Sequence, residues 1–457
     1  MIDNSAIGHK MHNLMTKLFP ICRSITGDGV RETLKIIAND VLSLTMHDIP
    51  SGTKVFDWTI PKEWNIRDAF VADENGTKII DFKNNNLHLV GYSLPIDKHV
   101  SLFELQEHLY SLPEQPDAIP YITSYYQERW GFCISHNERK KLKEGMYHVF
   151  IDSSLTDGFL TYGECIIPGE TKQEIFLSTY VCHPSMANNE LSGPIVTAFI
   201  GQWLMSKPRK YTYRLIFIPE TIGSISYLSH NMKALKQNVI AGFNISCIGD
   251  ERDYSYVASR YENTLADKIA SYVLSTKYHD FTKYSFLNRG SDERQYCSPG
   301  IDLPLVTLSR SKYGTFPEYH TSLDDLTLVT PKGLSEGFEF VKKCISALEN
   351  NEIPKNSSDE IRKTNHNEDP IREGTMRKNQ KYRITCYGEP QLGKRGLYPN
   401  LSNNIFDSSV STMMDFIAYA DGTNNLFEIG KIIGKSIDEL TPIAEKLIDE
   451  GLLEEVK

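Results

Sequence analysis

The sequence predicts an α/β fold built on a doubly wound mixed sheet. Near-continuous apolar runs lie at residues 174–181, 213–220, 239–250 and 303–310, as expected for strands whose two faces are both covered. An amphipathic helix is predicted between the first two runs, at residues 193–206. Strand, helix and strand in this order indicate parallel pairing, with ligands bound beyond the carboxyl ends of the strands.

Changes of pattern along the chain predict that this core is interrupted and then extended. Residues 1–50 have helical spacing and join residues 171–350 to form the core. Residues 51–170 alternate short apolar runs with turn residues, including an Asn-Gly hairpin signal, and predict an inserted β-rich domain. The polar stretch 351–382 is predicted to be a linker, and residues 383–457 a winged-helix-like domain.

The composition predicts a soluble cytoplasmic protein. With 457 residues, 40% hydrophobic and 24% charged, the chain is long enough for two or three ordinary domains. No apolar run approaches the roughly 20 residues needed to cross a bilayer, and the N-terminus has no signal-peptide pattern. Eight cysteines are scattered singly without a CxxC pair, which favours reduced thiols and excludes a zinc ribbon.

The charge distribution argues against nucleic acid and anionic membranes as partners. The net charge is -10, and residues 411–457 contain ten acidic side chains but only four lysines. A DNA-binding face needs basic side chains for its phosphate contacts. We therefore expect the C-terminal module to serve protein interaction, such as homodimerisation of this chain.

Metal-binding and acid/base side chains follow several predicted strands at the point where each strand ends. His183 follows the first strand, Glu220 the second and Asp250 the third, while His320 lies shortly after the fourth. Histidine and carboxylate ligands suit zinc, and an open coordination position would make such a zinc ion catalytic. The stretch "HPSMANNELSGP" that begins at His183 is also rich in good turn formers, so a purely structural corner is the competing interpretation.

Nucleophilic enzymes are not supported by the sequence. Cys182 and His183 are neighbours on a predicted strand, so their side chains point to opposite faces. No G-x-S-x-G elbow, Walker loop or G-x-G-x-x-G follows a predicted strand.

Four motifs together resemble the zinc-dependent exopeptidase superfamily of co-catalytic aminopeptidases: "HPSMANNELSGP", "PETIGS", "GSDERQYCSPGIDLP" and "YHTSLDD". More narrowly, the chain is similar to a bacterial aminopeptidase-like family associated with polysaccharide biosynthesis. That resemblance covers nearly the whole chain. It implies a zinc-exopeptidase core, an inserted β-rich domain and a C-terminal winged-helix domain.

The resemblance also implies roles for individual residues. His183 and His320 match the first and last metal ligands, and Glu220 matches the general base. The chain departs from the family pattern at the carboxylates, because Asn189 stands at the bridging aspartate and Thr221 at the ligand glutamate. These losses predict one zinc ion rather than two, with Glu190 or Asp250 as the third protein ligand.

Further pocket residues are expected from the loop that borders the substrate site in the superfamily. Arg289 or Arg294 would pair with a substrate carboxylate, and Asp292 would hold a substrate amine or orient a ligand. Lys312 and Tyr313 are further pocket candidates, with the tyrosine hydroxyl placed to steady an oxyanion.

Two remaining positions complete the predicted site. Asn189 is assigned to substrate binding. Asp324, in "TSLDD", would accept a hydrogen bond from the His320 imidazole and so orient this ligand. An equally good alternative is that Asp324 is an acidic residue at the start of a helix.

The sequence therefore predicts a zinc-dependent hydrolase of aminopeptidase type that acts on a peptide or small amide. In this hypothesis Glu220 takes a proton from metal-activated water. The competing hypothesis is a catalytically reduced relative that binds its ligand within surface-polysaccharide biosynthesis.

Overall fold

A computed structural model describes residues 4–278, 280–352, 380–397 and 408–456. The predicted linker at 351–382 lies mostly outside the described residues. Twelve helices are present in the described parts of the chain: α1 Asn4–Leu18, α2 Asp28–Asp40, α3 Leu102–Glu107, α4 His136–Arg139, α5 Ser192–Leu204, α6 Ile222–Asn238, α7 Leu265–Lys277, α8 Glu293–Tyr296, α9 Pro331–Glu349, α10 Ser408–Tyr419, α11 Leu426–Ile433 and α12 Ile437–Asp449.

The same parts of the chain contain nineteen strands. They are β1 Thr45–Pro50, β2 Lys54–Val55, β3 Trp58–Thr59, β4 Glu63–Ala72, β5 Lys78–Asp81, β6 Ile96–Ser101, β7 Leu109–Tyr110, β8 Phe132–Cys133, β9 Met146–Thr156, β10 Phe159–Ile167, β11 Glu174–Tyr180, β12 Thr212–Ile218, β13 Val239–Ile245, β14 Ser255–Val257, β15 Thr282–Tyr284, β16 Leu305–Ser309, β17 Lys381–Ile384, β18 Asp421–Asn425 and β19 Leu453–Val456.

An eight-stranded mixed sheet forms the core, in the order β1-β10-β12-β11-β13-β16-β14-β15. The four central strands, β12, β11, β13 and β16, are parallel. Antiparallel pairs flank them on both sides. The chain leaves β11 through α5 to reach β12 on one side, and then returns through α6 to β13 on the other. This reversal creates a switch point at the carboxyl ends of β11, β12 and β13, where α/β proteins bind their ligands. The predicted doubly wound mixed sheet is confirmed.

Both faces of the sheet are covered, which explains why its central strands are apolar throughout. Every residue of β11 is buried. Helices α1, α5, α7 and α9 share one apolar cluster with one face of the sheet. Helix α6 belongs to a second cluster, which also contains residues of the insertion and of the C-terminal module.

The insertion forms its own four-stranded sheet, in the order β5-β4-β9-β6, with two small two-stranded pieces beside it. The predicted hairpin at the Asn-Gly turn is the β4–β5 pair. The predicted domain boundary at residue 170 needs correction, because β10 pairs with β1 and β12 in the large sheet. The separate sheet of the insertion therefore ends with β9 at Thr156.

The C-terminal module has the winged-helix arrangement that the sequence predicts. Helices α10, α11 and α12 pack beside a three-stranded antiparallel sheet in the order β18-β17-β19. Among the described residues, no helix is both long enough and apolar enough to span a bilayer.

Candidate active site

A cavity of about 520 Å³ opens at the switch point of the large sheet. His183, Glu220 and His320 contribute to its wall from the core. The rest of its lining includes Tyr121, Thr123 and residues 125–127 of the insertion, and residues 389–394 of the C-terminal module. Its size lies within the roughly 300–1,000 Å³ that is typical of small-molecule sites. Three parts of the chain thus meet around the predicted catalytic residues.

His183 is oriented by a buried ion pair behind it. The chain leaves β11, passes His183 and makes a π-helical turn, Ala187–Leu191, before α5 begins. Within this turn Glu190 is fully buried, and its Oε2 atom lies 3.0 Å from His183 Nδ1. Its Oε1 atom lies 3.1 Å from Nε of Arg23, whose side chain is also fully buried. Because a carboxylate accepts, His183 Nδ1 donates, and the Nε2 atom is left to face the cavity.

Glu220 faces His183 across the cavity wall. Its Oε2 atom lies 3.8 Å from His183 Nε2, and about a fifth of its side chain is exposed. Burial raises the pKa of Glu220, and the positive charges of His183 and Arg294 partly oppose that rise. For His183, burial lowers the pKa, but the hydrogen bond and charge of Glu190, with the charge of Glu220, raise it above its ordinary value. A carboxylate with a raised pKa in a cavity is suited to proton transfer.

His320 lies close to His183, with 5.6 Å between the two ring centroids. The ring of Tyr121 packs against both imidazoles, at 5.1 Å from His183 and 5.0 Å from His320. Tyr319 stacks on the ring of His320, with 3.9 Å between the two ring centroids. Burial, together with the charge of His183, lowers the pKa of His320 well below its ordinary value, so it is neutral at pH 7. A neutral imidazole is the form that binds metal.

The insertion is attached to the loop that carries His320. The backbone N–H of Tyr121 donates to the His320 carbonyl at 2.9 Å, and Ser322 donates to the Ile119 carbonyl at the same distance. The hydroxyl of Tyr121 lies 2.8 Å from that of Tyr125, which also lines the cavity. The insertion therefore supplies an aromatic wall next to both histidines.

Three non-glycine residues at this edge have positive φ angles. Thr221 (φ 63°) directly follows Glu220, Cys247 (φ 49°) follows β13, and His320 (φ 57°) carries the second imidazole. This conformation costs about 1–3 kcal/mol at a non-glycine residue and persists where surrounding contacts hold it. Such strain is concentrated at functional sites, which is consistent with a site at these strand ends.

The predicted third metal ligands do not lie beside His183 and His320 in the cavity. The Glu190 carboxylate already pairs with Arg23 and accepts a hydrogen bond from Nδ1 of His183, as described above. Asp250 is buried and accepts from Asn188 Nδ2 at 3.0 Å, from both N and Oγ of Ser311 at 3.0 and 2.8 Å, and from Arg252 N at 2.8 Å. Four donors satisfy this carboxylate, so it ties together two strand ends, and it does not line the cavity.

Asn189 and Asp324 also have structural roles. The Asn189 side-chain oxygen accepts from the Tyr180 hydroxyl at 3.0 Å, and Asn189 is almost completely buried, so it does not bind substrate in this arrangement. Asp324 accepts from the backbone N–H groups of Asn188 and Asn189 at 2.6 and 2.8 Å. It therefore caps the turn before α5, which corrects the predicted contact with His320.

Tyr313 and Lys312 lie outside the cavity lining. The Tyr313 hydroxyl donates a short hydrogen bond to Glu293, which also accepts from the backbone N–H of Gly290 at 2.8 Å. The Lys312 ammonium group donates to the Tyr313 carbonyl at 2.9 Å and lies 5.3 Å from the centre of the Tyr284 ring. The Tyr313 hydroxyl therefore braces a neighbouring loop, and its position in this structure does not support the predicted oxyanion role.

The two arginines of this loop differ in position. Arg289 is turned towards the C-terminal module, where it donates to Asp415 Oδ1 at 2.8 Å, and it does not line the cavity. Arg294 does line the cavity; its Nη2 atom donates to Thr221 Oγ1 at 2.5 Å, and its Nε atom lies 3.5 Å from Glu389 Oε2. Of these two predicted substrate-binding residues, only Arg294 is placed to touch a ligand.

Asp292 lies beneath Glu220 and is fully buried. Its Oδ1 atom accepts from the backbone N–H of Thr221 and from the Ser224 hydroxyl, both at 2.8 Å. Its Oδ2 atom has no hydrogen-bond partner among the described residues. Burial, reinforced by the charge of Glu220, raises the pKa of Asp292 to about 7. It supports the strained turn after Glu220 and is not part of the cavity lining, so the predicted amine-binding role is corrected.

Several residues of the site were missed by the sequence analysis. Arg23, which forms the buried ion pair with Glu190, is a single arginine in a stretch of sequence that matches no motif. Tyr121, Tyr125 and Trp58 line the cavity from the insertion, and Glu389 lines it from the C-terminal module. The only available signal was the cluster of aromatic residues in "AIPYITSYY".

Comparison with known proteins identifies the family. The model of a family described as a domain of unknown function (DUF4910) matches residues 12–351. The chain belongs to the DUF4910 family. A winged helix-turn-helix model matches residues 380–455, which confirms the predicted type of the C-terminal domain.

Relatives of this family point to an aminopeptidase-like core. A Clostridium acetobutylicum protein is 42% identical over 454 residues, covering 99% of this chain and 97% of its own length. That protein is provisionally named as a polysaccharide biosynthesis protein with an aminopeptidase-like domain. A crystal structure from the same organism, provisionally assigned as a peptidase, is 40% identical with a TM-score of 0.74 and covers 99% of this chain and 98% of that one.

More distant solved structures share the fold of the core. A zinc aminopeptidase from Bacillus subtilis is 12% identical with a TM-score of 0.54, covering 75% of this chain and 94% of its own. A peptidase M28 precursor from Shewanella amazonensis is 11% identical with a TM-score of 0.53, covering 76% and 96%. The predicted resemblance to aminopeptidases is therefore confirmed for the fold of the core.

Proposed function

We propose that the protein is a hydrolase of a peptide or other small amide and that its reaction takes place in the cavity at Glu220. The observation that carries this proposal is the 3.8 Å approach of Glu220 Oε2 to His183 Nε2 on the wall of a cavity of about 520 Å³. Burial raises the pKa of Glu220, which suits a group that must take a proton and later return it. The aminopeptidase-like fold of the core supports the same type of chemistry.

We infer that this site would hold one zinc ion and not two. Two imidazoles that reach one cavity, with the Nδ1 atom of His183 committed to Glu190, supply two of the three protein ligands that a catalytic zinc ion usually has. A second ion would need carboxylates where the chain has Asn189 and Thr221, and neither side chain carries a negative charge. His183 and His320 would hold the single ion, which would lower the pKa of a bound water towards 7.

A second group of potential ligands is less suitable. Among the described residues, Cys182, His183 and Glu190 are the one group of three or more His, Cys, Asp or Glu side chains whose ligand atoms all lie within 4.8 Å of one another. However, the Arg23 guanidinium already lies 3.1 Å from Glu190 Oε1 in a fully buried pair. A dication placed there would face a buried cation without solvent screening, which is strongly unfavourable.

The side chains of the cavity define a reaction sequence for amide hydrolysis. The amide lies against the aromatic wall of Tyr121 and Tyr125, with its carbonyl carbon next to Glu220. The water oxygen bonds to the carbonyl carbon while Glu220 takes a proton from that water. Glu220 then delivers the proton to the amide nitrogen as the C–N bond breaks, which releases an amine and a carboxylic acid. His183 keeps its Nε2 atom facing Glu220, because Glu190 fixes the other side of its ring.

The experiment compares metal content and amide hydrolysis in wild type, Glu220→Gln, His183→Ala and His320→Ala, all purified without chelator. We expect wild type to bind zinc and to cleave aminoacyl amides, and each histidine variant to lose both properties. Glu220→Gln should keep its metal and lose at least about 100-fold in kcat, as removal of a general base does.

Other outcomes are equally informative. Loss of zinc in Glu220→Gln would show that Glu220 is the third ligand and not the base. Cleavage by Glu220→Gln at the wild-type rate would overturn the proposed role of Glu220. A wild-type protein that holds no zinc and cleaves none of the amides would overturn the hydrolase proposal.

The second candidate is a catalytically reduced binding protein in surface-polysaccharide biosynthesis. It is favoured by the position of Asn189, whose amide occupies the place of the bridging carboxylate and is hydrogen-bonded to Tyr180. The name of the Clostridium acetobutylicum relative supports the pathway. Retention of ligand binding without turnover would favour this candidate.

A further inference from the structure

One wall of the cavity comes from the C-terminal module. Residues 389–394, which follow β17, all line the cavity, and Met414 of α10 joins them. Glu220, His183 and His320 line the same cavity from the core. A ligand that fills this space and reaches Glu220 therefore also meets residues 389–394, which we call the C-terminal wall.

The C-terminal wall is held by the tip of a hairpin in the insertion. Asp57 lies in the two-residue turn between β2 and β3, and its Oδ2 atom accepts from the backbone N–H of Gln391 at 2.8 Å. Arg395 binds the same carboxylate bidentately, at 2.6 and 2.9 Å, and Lys394 Nζ lies 2.7 Å from Oδ1. Although burial opposes them, these hydrogen bonds lower the pKa of Asp57. A bidentate pair that is largely buried holds its geometry better than an exposed one.

Two further contacts fix the beginning of the wall. The indole N–H of Trp58, next to Asp57, donates to the Glu389 carbonyl at 2.7 Å. Gln295 of α8 pairs with Glu389 twice: Glu389 N donates to Gln295 Oε1 at 2.8 Å, and Gln295 Nε2 donates to Glu389 Oε2 at 3.2 Å. The wall is therefore attached both to the insertion and to the core.

The electrostatics of the module do not suit the usual role of a winged helix. In α12, the second helix of its α11–α12 pair, the charged side chains are Asp438, Glu439, Glu445, Lys446 and Asp449. A reader of DNA needs cations on this surface to replace the counterions of the phosphates. The contacts of the module with the cavity offer a different explanation for its presence.

We propose that the C-terminal wall selects the substrate by its length and that Asp57 is the residue that positions this wall. This inference rests on the proposed amide hydrolysis in the cavity. In this inference the wall bounds the cavity of about 520 Å³ so that it takes a single aminoacyl amide or a dipeptide, with an apolar or ring-shaped group packed against Trp58 and Tyr121. A longer peptide needs the wall to move away. The winged-helix module is thus part of the binding site.

The experiment measures selectivity in the full-length protein. Wild type, Asp57→Asn and Arg395→Ala are compared by the ratio of kcat/KM for leucinamide to kcat/KM for a leucine-initiated tetrapeptide. Binding of the same two probes is followed separately by tryptophan fluorescence, because Trp58 lines the cavity. The matched control is Glu439→Gln, which breaks an exposed ion pair with Lys435 on the same module.

We expect each of the two wall variants to lower this ratio at least tenfold. The change should come through KM and through binding of leucinamide, with kcat on leucinamide within about threefold of wild type. Glu439→Gln should match wild type. Hydrogen exchange at the Gln391 amide should become faster in Asp57→Asn, which shows that the wall has loosened in a folded protein.

The outcomes separate this inference from the proposed function. An unchanged ratio in both wall variants, with faster exchange at Gln391, would overturn the selection by the wall while leaving the hydrolase intact. If wild type binds leucinamide more tightly than the tetrapeptide without cleaving either, and Asp57→Asn loses that preference, the wall is supported and the hydrolase is not. Equal binding of both probes to wild type would overturn the inference.

Discussion

At the scale of single residues, the most consequential feature is the fully buried pair of Arg23 and Glu190. Arg23 neutralises the charge of Glu190 next to the cavity, and Glu190 in turn fixes the orientation of the His183 ring. The Arg23 Nε atom also donates to the His183 carbonyl at 2.9 Å. The pair therefore controls both the backbone and the side chain of the first predicted ligand.

Breaking this pair should destabilise the protein strongly. Glu190→Gln leaves the guanidinium of Arg23 uncompensated, which costs about 3–5 kcal/mol for a buried pair. We expect this loss in the free energy of unfolding measured with urea. We also expect a 10–100-fold loss of zinc affinity, because removal of the hydrogen-bond partner of a ligand histidine has this effect.

A double substitution and a surface variant serve as controls. The Arg23→Met, Glu190→Met variant removes both charges and should recover much of the stability without recovering zinc affinity. Asp40→Asn breaks the exposed pair with Lys17 and should cost less than about 1 kcal/mol. A loss of stability in Glu190→Gln no larger than that of Asp40→Asn would contradict the importance of the buried pair.

At the scale of elements, the corner between β11 and α5 depends on a carboxylate from a distant loop. Asp324 accepts from the amides of Asn188 and Asn189 and thereby satisfies backbone donors at the start of the helical turn. Burial raises the pKa of Asp324 to about 7, with these hydrogen bonds opposing it. The ordinary pKa of an aspartate is about 3.9.

The sign of the resulting pH dependence follows from this shift. Between about pH 4 and pH 7 the folded protein retains a proton on Asp324 that the unfolded chain has released, so this group lowers stability as the pH rises through that window. We expect the free energy of unfolding of Asp324→Asn to fall less steeply with pH than that of wild type across the window. Asp325→Asn, at the neighbouring part-exposed position, is the control and should keep the wild-type slope. Equal slopes for Asp324→Asn and wild type would contradict the prediction.

At the scale of the whole molecule, one apolar cluster connects the three parts of the chain. It contains Val71 of the insertion, Ile225 of α6 and Phe416 of α10. Ion pairs reinforce the connection, since Arg260 of the core donates to Asp421 of the C-terminal module at 2.8 Å. Because the three parts share this apolar cluster, we expect them to unfold as one cooperative unit.

Calorimetry of Phe416→Ala tests this coupling. The side chain of Phe416 is fully buried, and its removal should cost about 3–5 kcal/mol. We expect a single unfolding transition that moves to lower temperature as a whole. Phe427→Ala, at a half-exposed position of α11, should leave it nearly unchanged. A separate early transition for the C-terminal module alone would show that it is an independent unit.

The expected homodimer contact through this module stays a prediction.

The sequence alone determined the type and order of the main elements, though not the boundary of the insertion, because local patterns carry that information. Apolar runs covered on both faces predicted the parallel centre of the sheet, and the Asn-Gly turn predicted the β4–β5 hairpin. The position of the site was also readable, since parallel strands present their carboxyl ends at one edge. His183, Glu220 and His320 could be placed in the cavity for this reason.

Only the tertiary structure decided what each carboxylate does. Glu190 and Asp250 have the same chemical groups as metal ligands, but their neighbours, Arg23 in one case and Ser311 in the other, come from distant parts of the chain. A residue type shows what a side chain is able to bind, whereas its hydrogen-bond partners determine whether that capacity is still available. The wall from residues 389–394 was hidden for the same reason, because no local pattern reports which surfaces of separate domains will meet.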